Sequence, residues 1–114
     1  MTASDFSPVF AALRDIMLSQ AAGLIITRDD PGDLVVRIPS QGAEEPGWFG
    51  TVTIKKSYVA YHLMPIYCDP ALAADLSPEL TRRRQGKTCF NFKRVDAALF
   101  DELAALTART RVAV

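Results

Sequence analysis

Residues 49–67, Phe-Gly-Thr-Val-Thr-Ile-Lys-Lys-Ser-Tyr-Val-Ala-Tyr-His-Leu-Met-Pro-Ile-Tyr, constrain this chain more than any other stretch. Thr51, Val52, Thr53, Ile54 and Lys55 alternate polar and apolar, the period of 2 of a strand with one buried face. Lys56 and Ser57 form the predicted turn, without the Asn-Gly pair of the tightest hairpins. Residues 58–64 return as Tyr58, Val59, Ala60, Tyr61, His62, Leu63 and Met64. That run is apolar on both faces, which predicts a central strand covered, at least in part, on both sides. Pro65 ends it or marks an edge, since proline cannot donate to a ladder.

A hairpin of this kind needs partners, and the flanking chain supplies them. Apolar residues at Phe6, Val9, Phe10, Leu13, Ile16, Met17 and Ala21 predict a helix over 8–22, with Ser7 as cap and Pro8 in the first turn. Leu24–Thr27 and Leu34–Ile38 read as strands around an Asp29–Asp33 turn with Pro-Gly at its centre. Pro39 to Gly47 reads as a mobile loop, and Trp48 and Phe49 as a core edge or an exposed contact patch. After Tyr67 come a helical turn over 71–75 and a short helix opened by Ser77-Pro78. Arg82, Arg83 and Arg84 then stand in a last turn that suits cations, before a capping Gly86. Residues 87–93 alternate again as a fifth strand, with Phe90 and Phe92 on one face and Lys87, Cys89, Asn91 and Lys93 on the other. Asp96 caps a closing helix over 97–108, and the last six residues are expected to fray. The order is α-β-β-β-β-α-β-α. The predicted class is α+β, a two-layer sandwich of a mainly antiparallel five-stranded sheet with both terminal helices on one face.

At 114 residues, 49% of them hydrophobic, the chain suits a single globular domain. Its formal net charge of zero argues against generic nucleic-acid binding. Cys68 and Cys89 lack the spacing and histidine partners of a zinc site and read as two reduced thiols. No apolar stretch reaches the ~18 residues of a membrane span, and the start lacks a signal-peptide pattern, so a cytoplasmic protein is expected.

The segment Lys55-Lys56-Ser57-Tyr58-Val59, then Tyr61-His62, a polar helix, and Arg84-Gln85-Gly86-Lys87 before a strand and closing helix resembles the YdhG-like family. The family consists of small bacterial proteins of mostly unknown function, some described as frataxin-like intracellular iron chaperones. The resemblance spans most of the chain and implies a frataxin-like α/β sandwich and, as one role, iron binding. Frataxins carry an acidic first helix and strand, whereas here only Asp5 and Asp15 lie on or near the first helix.

Charge is segregated within the neutral total. Arg82, Arg83, Arg84, Lys87, Lys93 and Arg94 form a run without an acid, and Lys55 and Lys56 add to it. Asp29, Asp30, Asp33, Glu44 and Glu45 stand against the single cation Arg37. Beside the hairpin, Lys55, Lys56, His62, Arg83, Arg84, Lys87, Asn91 and Lys93 define a candidate groove for a carboxylate, phosphate or nucleotide. Asp29, Asp30 and Asp33 are the rival set, oxygen donors for iron, although Asp beside Pro-Gly more often builds the turn. A third class, an enzyme, has His62 and Cys89 as its only candidates. The expectation is a binding domain, monomer or homodimer, for a small anion or a protein partner, with iron as the alternative and no nucleic acid or membrane.

Overall fold

A computed structural model describes residues 6–39, 47–86 and 88–112. The chain is α+β: the described residues form four helices and an antiparallel sheet of six strands. Helix α1 (Ser7–Leu18) precedes strands β1 (Ile25–Asp30), β2 (Asp33–Ile38), β3 (Gly47–Ile54) and β4 (Val59–Leu63). Then come α2 (Pro65–Cys68), a 3-10 turn (Pro70–Ala73), α3 (Pro78–Arg83), β5 (Arg84–Gln85), β6 (Cys89–Phe92) and α4 (Ala97–Val112). The strands lie in the order β1-β2-β3-β4-β6-β5.

The central hairpin forms as its alternation requires. Ile54 pairs with Val59, and the Lys55 amide donates to the Tyr58 carbonyl at 2.7 Å around the Lys56-Ser57 turn. Pro65 ends the strand by opening α2. Register carries the pattern across the sheet: Leu34, Val52, Tyr61 and Phe90 stand side by side, as do Val36, Gly50 and Leu63. These residues, Gly50 aside, belong to one buried cluster with Phe10, Leu13 and Met17 of α1, Leu80 of α3 and Phe100, Leu103 and Leu106 of α4. Phe100 meets Phe92 edge to face, ring centroids 5.0 Å apart. The Tyr61 hydroxyl lies 2.7 Å from Thr107 Oγ1, which in turn donates to the Leu103 carbonyl at 2.8 Å. Gly50 is required where α1 crosses the sheet. A Cβ there would lie 2.6 Å from both the His62 carbonyl oxygen and Met17 Cε.

Several expectations are corrected. The sheet has six strands, not five. Arg84 and Gln85 leave the helix in extended backbone and pair with Phe90 and Cys89. Gly86, at φ +74°, turns β5 into β6 and does not cap α3. The reason is that β6 left an unpaired outer edge, which two residues of extended chain satisfy. Helix α1 stops at Leu18 rather than 22, and Phe6, with no side-chain cap bond, precedes its first residue Ser7. Helix α4 runs on through Arg109 to Val112 where fraying was expected, because buried Thr110 and an Arg111 bond of 2.8 Å to the Ala22 carbonyl hold its end. The β1 strand reaches Asp30, which leaves only Pro31 and Gly32 in the turn, the latter at φ +80°. The expected loop over 40–46, with Glu44 and Glu45, lies outside the described residues.

The central strand is covered on one side only among the described residues. Each described α-helix contributes buried apolar residues to the cluster on the Tyr61 face. The opposite face carries His62, Cys89, Asn91, Thr51, Thr53 and Val35, all half-buried. Ala60 is buried there because it is small and stands between Thr53 and Asn91.

Candidate anion-binding site

The open face places polar groups in rows. Gln85, Cys89, His62, Thr51 and Val35 are successive cross-strand neighbours, and Asn91, Ala60, Thr53 and Asp33 form the next row. Alternation brings Tyr58 and Lys93 to the same side, one residue beyond the core pair Val59 and Phe92. Helix α3 stands at the edge of this face, and its last turn carries Arg82 and Arg83. Ser77 fixes that helix. Its hydroxyl accepts from the Leu80 amide at 3.1 Å, while Glu102 of α4 accepts from the Ser77 amide at 2.7 Å and its hydroxyl at 2.6 Å.

A concavity of about 460 Å³ opens between α3 and β6. Arg82, Arg83 and Lys93 supply three cations to its wall, and no acid among the described residues lines it. Among the described residues, none of the three is in an ion pair. Asn91 and Gln85 add carboxamides, and Tyr58 and Cys89 complete the lining. The Cys89 thiol donates to Asn91 Oδ1 at 3.2 Å, which leaves Asn91 Nδ2 as a donor toward a ligand. A neighbouring concavity of about 430 Å³ shares Arg83 and Lys93 and adds Arg94, but it also contains Asp96. The Asp96 carboxylate accepts from the Leu99 amide at 3.2 Å and so already occupies the N-terminus of α4.

Of the residues expected from sequence, Arg83, Asn91 and Lys93 meet in one concavity. His62 is in the adjoining row beside Cys89 but does not line it. Lys55 is exposed, and its charge reaches both His62 and Cys89. Lys56 is exposed in the turn and does not line the concavity. Arg84 is a correction: pairing with Phe90 sets it on the helix-covered face, away from the open one. Lys87 lies outside the described residues. Tyr58, Gln85 and Arg82 were not singled out as site residues. Arg82 was within reach of sequence as part of the basic run, whereas Tyr58 and Gln85 needed the register of β4, β5 and β6.

The aspartates do not converge. A bulge between Ile26 and Arg28 shifts the alternation, so Asp29 falls opposite Leu34 on the helix side and Asp30 opposite Asp33. Arg14 of α1 donates to both Asp29 carboxylate oxygens, through Nε at 2.8 Å and through Nη2. That bond holds the Asp29 carboxyl below its usual range and the Arg14 guanidinium above its own. Asp33 accepts from Arg28 at 3.1 Å and from the Thr53 hydroxyl at 3.4 Å. Two of the three supposed iron ligands are therefore committed to cations, and no group of three His, Cys, Asp or Glu able to hold a metal occurs among the described residues.

His62 and Cys89 do not form an activated pair. Burial, then the Lys55 charge, lowers the His62 pKa, so the ring is neutral near pH 7. Burial raises the Cys89 thiol above its ordinary value, with Lys55 opposing, so the thiol keeps its proton. His62 Nδ1 faces Thr88 Oγ1 at 3.4 Å. Trp48 and Phe49 divide: Phe49 is in the core, and Trp48 is exposed with the Arg37 guanidinium 4.1 Å above its ring.

No protein-family model, curated protein or solved structure matches the chain. Nothing in these comparisons identifies a YdhG-like family. No helix among the described residues is long and apolar enough to cross a membrane.

Proposed function

We propose that this protein binds a small anionic ligand in the concavity between α3 and β6, in the manner of a binding domain. The observation that carries this reading is the set of three cations, Arg82, Arg83 and Lys93, around a recess without an acid or an ion-pair partner among the described residues. Two guanidinium groups and an ammonium recognise carboxylate or phosphate through charge-assisted bonds. Asn91 Nδ2 adds a neutral donor. The adjoining recess is less suited, because the Asp96 carboxylate repels a second anion. The expectation of a cytoplasmic protein accompanies this reading. Iron binding draws no support from Asp29, Asp30 and Asp33 as they are placed.

Calorimetric titration at low salt with inorganic phosphate and with citrate tests it. Binding should weaken as salt is added, since exposed charges are screened beyond ~8 Å at physiological ionic strength. Arg83→Ala and Lys93→Ala should each weaken it by roughly tenfold, the scale of one charged hydrogen bond. Equal binding by the Arg83→Ala/Lys93→Ala double variant would overturn the assignment.

A further inference from the structure

The lining of the same concavity combines two chemistries. Arg82 and Arg83 in the last turn of α3 and Lys93 just past β6 supply its cations. Its sheet floor carries an aromatic ring, Tyr58, and two primary carboxamides, Asn91 and Gln85. A simple anion such as phosphate uses the cations and the one Asn91 donor and leaves the Tyr58 ring and Gln85 unengaged. A ligand with an anionic group at one end and a flat heteroaromatic group at the other engages both.

We infer that the ligand is a mononucleotide, its phosphate at Arg82, Arg83 and Lys93 and its base over the Tyr58, Asn91 and Gln85 floor. This rests on the anion-binding reading given above. Three features support it. About 460 Å³ falls within the range of small-ligand pockets and exceeds what a lone phosphate fills. Tyrosine rings stack on bases of any kind through their π faces. Asparagine and glutamine side chains match the paired donor and acceptor edges of bases. Here the Asn91 amide oxygen is held by the Cys89 thiol, so Asn91 offers its Nδ2 donor to a ring nitrogen or carbonyl, while Gln85, exposed at the edge strand, offers both donor and acceptor. Arg83 and Lys93 also border the adjoining recess, where Asp96 stands against a further phosphate, so a monophosphate fits better than a triphosphate.

Titration of the full chain with inorganic phosphate, adenosine, AMP, GMP, CMP and ATP tests the inference. At least one monophosphate should bind tenfold or more tightly than inorganic phosphate, and more tightly than ATP. Tyr58→Ala should lower the ratio of nucleotide to inorganic-phosphate affinity by roughly tenfold, while Tyr58→Phe should retain nucleotide affinity. Arg83→Ala should weaken both. Circular dichroism melts of each variant separate loss of binding from loss of fold. If phosphate binds and no nucleotide binds more tightly, or if Tyr58→Ala in folded form leaves that ratio intact, the inference falls and the anion reading stands. If neither phosphate nor any nucleotide binds, this inference falls, and a null result with citrate as well removes the anion reading.

Discussion

The two faces of the sheet are built from alternate residues of the same strands, yet they have different chemistry. Tyr61 and Phe90 point into the cluster beneath α1 and α4, and both are fully buried. Their immediate neighbours His62, Cys89 and Asn91 point the other way, and no described helix covers them. One residue of displacement along a strand separates a core position from a site position. The helix-covered face holds the fold together by apolar burial. The open face contributes little packing and is free to carry polar groups in fixed rows. A rigid sheet thus supplies the precision of position that a loop would not.

This contrast is broken most directly by truncating neighbours. Phe90→Ala should destabilise the protein by about 3–5 kcal/mol, whereas Asn91→Ala should stay within about 0.5 kcal/mol and instead weaken phosphate binding. Urea denaturation of both variants checks this, and equal losses would show that the open face is covered in solution. A smaller effect is expected at the crossing of α1 and β3. Gly50→Ala should destabilise by about 1–3 kcal/mol, because the added methyl meets the His62 carbonyl as well as the end of the Met17 side chain. Gly50→Ala in a Met17→Ala background, compared with Met17→Ala alone, isolates the carbonyl clash, and a loss that persists there places the strain in the backbone.

Removal of one hydroxyl sharpens the comparison further. Tyr61→Phe should cost about 1 kcal/mol, since Thr107 keeps its bond to Leu103 when the phenol is lost. Burial pushes the Tyr61 phenol well above its ordinary value, so the same hydroxyl stays protonated through the alkaline range. On the open face, His62 gives the pH-dependent term. Its folded pKa lies below the ordinary 6.5. The unfolded chain therefore takes up the proton first, and stability is lost as pH falls from 6.5 through the folded value. Melting temperatures between pH 8 and pH 5 should show this loss, and His62→Gln should remove that component. A flat profile for the parent chain would mean that the ring is not desolvated. The smallest effect belongs to Arg14 and Asp29, which join α1 to β1 at the surface. Asp29→Asn should shift the melting point slightly, less at high salt, because exposed ion pairs are weak and screened.

Periodicity made the elements legible where one face dominated. Val52 and Ile54 against Thr51 and Thr53 identified β3, and Leu13, Met17, Phe100 and Leu103 identified the buried sides of α1 and α4. Local turn chemistry placed Pro31-Gly32, Ser77-Pro78 and Asp96 correctly in outline. Arg84 and Gln85 were not legible as a strand, because two residues carry no period and their pairing depends on a vacant edge of β6. Asp29 illustrates the other limit. Its face is decided by a bulge at Ile26–Arg28, and no composition signal announces a one-residue slip.

The candidate site followed the same division. Charge segregation is a property of the chain, and Arg83, Asn91 and Lys93 were already conspicuous in it. That Tyr58 and Gln85 join them is a matter of strand order, since β4, β6 and β5 are neighbours although α2 and α3 intervene in sequence. By itself the sequence determined the α+β class, the amphipathic helices and the alternating strands, because these depend on contacts a few residues apart. Only the tertiary structure decided which polar residues share a wall, which aspartates are tied to arginines and which sheet face is open among the described residues. Those outcomes depend on register and edge pairing between distant segments, where a single-residue shift reverses every side chain.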